Sequence, residues 1–324
     1  MRNLIAAAVF YILIIPLFPV MLAGYVLWIG KAFLVGRKSS VSATAQGPLS
    51  ARYFEHHLST RRDEPSSRLL MVLPGVSPLG VHLFAEPMLL AHRLSGYVPK
   101  AFRYPYEGNV SMEYEASARQ TFFDTVVDRY LADITQFVIL GAGFDTRAFR
   151  LPKEQVRSFE VDAPETQALK REMLEKAGID STGVTFVAAD FEEEDWLTRL
   201  VDAGFDPDEP ALFIWEGVII YLDKEAVEAN LRKIAGLAKG SVIAFDYSTT
   251  EPLKSQALYW RYARAMTRAA GEPMKFGFDS TPPSRERLAE FLWSCGLSLG
   301  EQRTLGKETE GKRAWGGFAT AIVK

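Results

Sequence analysis

Residues 136–147 read QFVILGAGFDTR: an apolar run, then Gly141 and Gly143, then a charged tripeptide. A short run of this kind, closed by glycines, is a buried parallel strand feeding a tight turn. The two glycines let the backbone turn sharply and approach a ligand closely. Further short apolar runs follow at 157–161, 184–188, 212–215 and 242–245, with a last one at 316–323. Helical patterns lie between them at 164–177, 194–203 and 224–238, then at 255–269 and 284–294. One more helix, 113–131, precedes the first strand, with Ala118, Phe122, Val126 and Tyr130 spaced by four. Strands alternating with helices mean an α/β fold, a doubly wound parallel sheet with right-handed crossovers.

In such a sheet the ligand sits beyond the carboxyl ends of the strands, so the residues after each strand carry the chemistry. A dinucleotide fingerprint would need a third small residue where Thr146 stands, which weakens a hydride-transfer reading. A phosphate loop is excluded, because no Gly-Lys-Ser/Thr occurs there. The second strand ends in FEVDAP, placing Glu160 and Asp162 about twenty residues beyond the first glycine, where a carboxylate suits a ribose diol. The third ends in VAADFEEEDW: Asp190 is placed to accept from an adenine amino group, and Phe191 offers a ring face or an amide. Glu192, Glu193 and Glu194 read as a solvated helix start. Glu216 closes the fourth strand, an expensive position unless it meets a cation, which a ligand amine or sulfonium would supply.

The first hundred residues are of another kind. No Asp or Glu precedes Glu55, and the 27 residues from Leu4 to Gly30 carry no charge. As a helix that run would be roughly 40 Å long, more than the roughly 30 Å of bilayer hydrocarbon. Arg2 precedes it, and Lys31, Arg37 and Lys38 follow, which puts its C-terminal side in the cytoplasm. A cleaved signal peptide, a buried core helix, and a kinked or re-entrant segment at Pro16 and Pro19 compete with a membrane anchor. Residues 39–47 read as a linker. Between Leu69 and Ala85 only His82 can ionise, yet Pro74, Gly75, Pro78 and Gly80 break any long helix. That stretch reads either as a buried helix–turn–helix cap or as an interfacial loop lining an apolar entrance.

Composition narrows the classes. With 37 basic and 40 acidic residues the net charge is −3, which argues against a chain built to grip nucleic acid. One cysteine, Cys295, makes no internal disulfide, and the four histidines lack ligand spacing, so no metal site is expected.

Taken in order, ASARQTFFD (116–124), QFVILGAGFDTRAFRL (136–151), FEVDAPETQALK (159–170), VAADFEEEDW (187–196), FDPDEPALFIWEGVIIYL (205–222) and GSVIAFDYS (240–248) resemble the leucine carboxyl methyltransferase family. The likeness covers roughly 105–324 and is closest to the bacterial branch of S-adenosylmethionine-dependent O-methyltransferases. It implies a class I methyltransferase-like, seven-stranded sheet with a helical lid. It further implies that Arg119 holds the cofactor's methionine carboxylate, Gly141 its backbone, Asp162 the ribose, Asp190 and Phe191 the adenine, and Glu216 the methionine end. Gly143 completes the cofactor loop. The expected organisation is a membrane anchor with basic flank at 1–38, a linker and apolar helical cap at 39–105, and the methyltransferase domain at 106–324.

The expected reaction is transfer of a methyl group to a carboxylate or hydroxyl oxygen of an apolar, amphiphilic or lipid-like acceptor, by an enzyme tethered to the membrane with its catalytic domain cytoplasmic. A carboxylate acceptor needs no base; a hydroxyl does, and His82, His92, Tyr221 and Asp246 are candidates among which the sequence does not choose. A protein carboxyl group as acceptor, a non-catalytic membrane scaffold and a nicotinamide-linked oxidoreductase stay open as alternatives.

Overall fold

A computed structural model describes residues 2–36, 45–108, 110–152, 154–191, 195–309 and 312–324. Arg37, Lys38, residues 39–44 of the expected linker and Glu192–Glu194, on which the basic flank, the linker and the solvated helix start rest, lie outside them, and Gln46 and Gly47 already belong to a helix.

Five parallel strands form the centre: β1 (Gln136–Leu140), β2 (Arg157–Asp162), β3 (Val184–Ala188), β4 (Ala211–Trp215) and β5 (Val242–Ser248). Two more, β6 (Leu297–Leu305) and β7 (Gly316–Val323), close one side, with β7 antiparallel to β5. The order is β3-β2-β1-β4-β5-β7-β6, the seven-stranded sheet that the resemblance implies. The order reverses at β1, so the crevice for a ligand opens between β1 and β4. β6 has no counterpart in the strand pattern read from the sequence. It is an edge strand with a register shift between Leu299 and Gln302, and its half-exposed residues LSLGEQRTL hide the alternation.

Alternation along β1 divides the core. Val138 and Leu140 point into a cluster with Trp196, Phe213 and Leu231, while Phe137 and Ile139 join Phe122, Phe123 and Phe318 on the other face. The crossover helices α6 (Pro164–Lys176), α7 (Trp196–Asp202) and α8 (Lys224–Ala235) follow their strands; α6 begins on Pro164, whose fixed φ suits a first helical position. α5 (Glu115–Tyr130) precedes β1, and α9 (Thr250–Lys254), α10 (Leu258–Ala269) and α11 (Ser284–Ser294) lie between β5 and β6.

The N-terminal hundred residues build a third core. α1 (Arg2–Gly36), α2 (Gln46–His57), α3 (Glu64–Val72) and α4 (Pro78–Ser95) bury Leu49, Leu69, Leu70, Val81 and Ala85 against Met173 and Leu174 of α6. The 69–85 stretch is therefore a buried helix–turn–helix. Asp63 caps α3 by accepting from the Ser66 amide, and Ser77 caps α4 by accepting from Gly80.

α1 runs as one helix through Pro16 and Pro19, not as a re-entrant hairpin. It lies antiparallel along α4: Phe10 meets Tyr97 at 5.1 Å, Trp28 meets Phe84 at 6.3 Å, and Lys31 Nζ donates to the Val76 carbonyl at 2.7 Å. The backbones touch at Gly24 and Gly80, where a Cβ on Gly24 would come within 2.7 Å of the Gly80 oxygen. The outer face of α1 is bare. Only 6% of its most apolar stretch is buried within the chain.

Candidate functional site

A cavity of about 440 Å³ opens at the carboxyl ends of β1–β4, in the size range of small-molecule sites. Arg119, Gly141, Gly143, Asp162, Asp190, Phe191 and Glu216 all line it. Gly141 and Gly143 have φ of +66° and +44°, and a Cβ on Gly141 would meet Val218 Cγ2 at 2.3 Å, so the turn after β1 has no room for a side chain. Asp162 ends β2 facing this turn and accepts from the Gly143 amide and, at 2.7 Å, from the Ala163 amide. Burial pushes its carboxyl above the ordinary range, and those two amides pull against the shift. A carboxylate has about four lone-pair sites, so two amides leave room for two hydroxyls. The other acid of β2, Glu160, does not line the cavity and pairs with Lys170 at 2.7 Å inside the protein.

Glu216 departs from expectation. Its cation is not left to a ligand: Oε2 is met by Arg147 Nη1 at 2.6 Å and by Arg52 Nη2 at 3.1 Å. Oε1 is buried at the cavity wall without a hydrogen-bond partner.

Behind Glu216 lies a charged centre that the sequence reading did not find. Arg52 of α2 also binds Asp145 at 3.0 Å and Gln120 at 3.0 Å. Arg147 also binds Asp145, Gln120 at 2.9 Å and Asp124 at 3.0 Å. Arg61 bridges Asp63 and Asp124, both at 2.6 Å. Burial alone would raise Asp145 and Asp124. The guanidinium groups outweigh it: Arg147 and Arg52 hold Asp145, and Arg147 and Arg61 hold Asp124, well below the usual carboxylate range. Four arginines (52, 61, 147 and 150) meet four carboxylates (63, 124, 145 and 216). A fifth acid, Glu55, has both oxygens buried without a partner, and burial pushes it up to about 8, so it stays protonated at neutral pH. The signal for Asp145 and Arg147 was present, since they stand five and seven residues beyond one buried strand, as Glu216 stands directly after another. Arg52 stands 68 residues before Gln120 in the α5 sequence and nothing local marks it.

Arg119 joins the first cavity to a second. Its Nη2 meets Glu115 at 2.6 Å and Asp246 at 3.1 Å, and its Nη1 edge lies toward Gly217. The second cavity, about 150 Å³, shares Arg119, Gly217, Val218 and Tyr221 with the first and is otherwise walled by residues such as Trp260, Trp315, Ile220 and Met274. Asp246 accepts from the Gly217 amide at 2.6 Å, and burial raises its pKa against the pull of Arg119. Tyr221 and Asp246 thus stand at this junction. His82 and His92 do not: His82 pairs loosely with Glu86 on the outside of α4, and His92 Nδ1 meets the Tyr97 carbonyl at 3.0 Å. Residues 69–85 line neither cavity, which corrects the expectation of an entrance there.

The first cavity fits an adenosyl sulfonium better than a dinucleotide. Its lining carries five carboxylates (Asp145, Asp162, Asp190, Glu216 and Glu272) against three cations (Arg52, Arg119 and Lys275), with Arg147 a fourth cation directly behind Asp145 and Glu216. That balance repels a pyrophosphate and attracts a ligand with net positive charge. Glu216 Oε1, buried and unpartnered, is an open acceptor for an ammonium group.

Residues 91–235 match the family model described as leucine carboxyl methyltransferase. A relative from Mycolicibacterium smegmatis, named "Putative S-adenosyl-L-methionine-dependent methyltransferase", is 37% identical over 212 residues, covering 64% of this chain and 67% of its own. One of the same name from Mycolicibacterium paratuberculosis is 31% identical over 268 residues, covering 80% of this chain and 83% of its own. The chain belongs to the leucine carboxyl methyltransferase family. It is an S-adenosylmethionine-dependent methyltransferase, with a sheet of the class I type. The match to a relative from Mycobacteroides abscessus spans 45% of that protein. Among solved structures, the chain is similar to a duf574 family protein from Streptomyces avermitilis, at 16% identity and a TM-score of 0.49 over 85% of this chain and 97% of the other.

Proposed function

We propose that this enzyme methylates a hydroxyl oxygen on an apolar or amphiphilic acceptor seated in the second cavity, with α1 holding the chain at a membrane. The observation that carries the reading is the shared wall. An aromatic and aliphatic cavity opens onto the cofactor cavity through Arg119, Gly217, Val218 and Tyr221. A site of that lining takes an apolar group and presents its polar end at the junction.

The seven sequence-predicted residues would hold S-adenosylmethionine. Asp162 would accept from the ribose hydroxyls, Asp190 and Phe191 would meet the adenine, Gly141 and Gly143 would admit the backbone closely, and Arg119 and Glu216 Oε1 would take the carboxylate and ammonium of the methionine end. When bound, the cofactor would supply an electrophilic methyl group, which the acceptor oxygen takes in line as the thioether S-adenosylhomocysteine leaves. The protein's part is chiefly to bring acceptor and methyl into line at about 3–3.5 Å. In the second cavity, Glu115 and Asp246 outnumber the single cation, Arg119. An anionic acceptor meets net repulsion there, whereas a hydroxyl finds in Asp246 a carboxylate able to receive its proton.

Membrane attachment fits the same chemistry. The outer face of α1 is apolar, with Ile12 67% and Ile15 71% exposed, while the outer face of α4 beside it carries His82, Glu86 and Arg93. The membrane side is therefore the α1 face turned away from α4, since sinking α4 with it would put charges into hydrocarbon.

The test is incubation of the full chain with methyl-labelled S-adenosylmethionine and matched pairs of long-chain and aromatic alcohols and carboxylic acids. Label in alkali-stable ethers of the alcohols is the expected result. Label only in alkali-labile esters of the acids overturns the hydroxyl reading.

A further inference from the structure

α10 is a helix of 12 residues, LYWRYARAMTRA, and none of them is buried. At about 100° per residue, its side chains sort into three sectors. Trp260, Ala263, Arg264 and Thr267 are half-buried and face the protein: Trp260 packs on Trp315 at 5.6 Å, and Arg264 Nη2 donates to the Ser255 carbonyl at 2.8 Å. Leu258, Tyr259, Tyr262 and Met266 form a stripe on the opposite side, with Leu258 81% and Tyr262 63% exposed. Arg261 and Arg268, both exposed, lie along one edge of the stripe.

An exposed apolar stripe on a helix already docked by its other face is costly in water. Two further observations say what covers it. From Pro252 to Gly271 there is no Asp or Glu, while Lys254, Arg261, Arg264 and Arg268 are basic, in a chain whose net charge is −3. A stripe of Leu, Tyr and Met bordered by arginines is the pattern of a helix lying in a lipid interface, with its rings at the headgroup level and its guanidinium groups on anionic headgroups. The second observation is position. Two residues after α10, Gly271, Glu272 and Pro273 line the first cavity, and Trp260 lines the second. Ala45, Pro48 and Leu49, which follow α1 in sequence, also line the first cavity.

We infer that α10 is a second membrane contact, an interfacial helix that seats on anionic lipid headgroups and brings the rim of the acceptor cavity to the bilayer surface. This rests on the membrane reading of α1 for the identity of the surface. Together the two contacts give the chain an orientation that one helix alone does not, and the acceptor enters beside Trp260 instead of through bulk water.

The test uses the full chain with an environment-sensitive label at Tyr262→Cys or, as a control on α7, at Val201→Cys, reconstituted into phosphatidylcholine vesicles with and without phosphatidylglycerol. Cys295 is buried and stays unlabelled. Flotation reports attachment, and quenching by lipids brominated along the acyl chain reports depth. The expected result is flotation, with the label at 262 blue-shifted and quenched at least about two-fold more than at 201, more so with the anionic lipid. The pair Arg261→Gln and Arg268→Gln should abolish the anionic enhancement. Flotation with equal quenching at 262 and 201 overturns the α10 proposal and leaves the α1 reading standing. A blue shift at 262 already present without vesicles assigns the stripe to a second copy of the chain and also overturns it. Should Ile12→Lys with Ile15→Lys leave flotation and quenching at 262 unchanged, α10 stands and α1 as anchor falls. No flotation under either lipid composition sinks both.

Discussion

Two sets of carboxylates stand within one small region and behave in opposite ways. Asp63, Asp124 and Asp145 spend their charge on Arg52, Arg61 and Arg147 behind the first cavity. Asp162 and Glu216 face the cavity with acceptor capacity left over, Asp162 beyond its two amides and Glu216 at Oε1. Residue type does not separate the sets; what separates them is whether a guanidinium from another element reaches them first. Three of those partners come from different parts of the chain: Arg52 from α2, Arg61 from the turn after it, and Arg147 from the loop after β1. The N-terminal helices therefore do more than cover the site, because Arg52 forms part of its wall and fixes Glu216.

The largest expected effect comes from breaking the spent set. Arg147→Ala leaves Asp145, Asp124 and Glu216 short of a partner in a buried site, at a cost of about 3–5 kcal/mol. Urea denaturation of the full chain should show this as a large drop in midpoint with an unchanged slope. A midpoint like that of the wild type would mean that water reaches these groups, and the contrast between the sets would dissolve.

Removing an open acceptor should shift the balance: hurt binding more than stability. Asp162→Ala should weaken S-adenosylhomocysteine binding by about 1.5–3 kcal/mol for each charge-assisted bond lost, read by calorimetry, with a smaller fall in the urea midpoint than Arg147→Ala, because the Gly143 and Ala163 amides lose their acceptor. If the midpoint falls as far as in Arg147→Ala while affinity holds, Asp162 belongs to the structural set.

Which parts of this were legible follows from the range of each interaction. β3 and β7 lie where apolar runs place them, and the acids after β2, β3 and β4 reach one cavity because a parallel sheet aligns strand ends. Those are local patterns combined with one topological rule. The partners of Glu216 are not local: Arg52 stands 164 residues away in sequence, so a buried acid announced only that some cation must be near. β6 failed for a different reason, since an edge strand with one side in water carries little apolar signal. His82 and His92 attracted attention by chemistry alone, and α4 holds them away from both cavities.

Glu55 sharpens the contrast further, as an acid in the charged centre that has neither a cation partner nor a ligand to meet. The unfolded chain releases its proton near 4.5 and the folded chain near 8. Between those values the folded state carries the extra proton, so stability falls as pH rises through the window, by up to about 1.4 kcal/mol per pH unit. Glu55→Gln keeps the shape of the protonated acid and removes the titration. Its urea midpoint should match the wild type at the acid end of the window and exceed it at the alkaline end. Equal midpoints at both ends would mean that Glu55 ionises without cost.

The smallest effect tests whether burial, and not charge pairing as such, carries the argument. Arg129 Nη1 and Glu301 Oε2 are 2.8 Å apart, as close as several pairs in the charged centre, but the two side chains are 48% and 41% exposed. In water both groups keep most of their hydration, the attraction is screened by salt, and holding two long side chains together costs entropy. Arg129→Ala should therefore change stability by less than about 1 kcal/mol, and the small change should shrink as salt is added. Arg147→Ala should show little salt dependence, since its partners are shut away from ions. If the two substitutions cost the same, distance alone would rank these pairs and the division between spent and open carboxylates would have no physical basis.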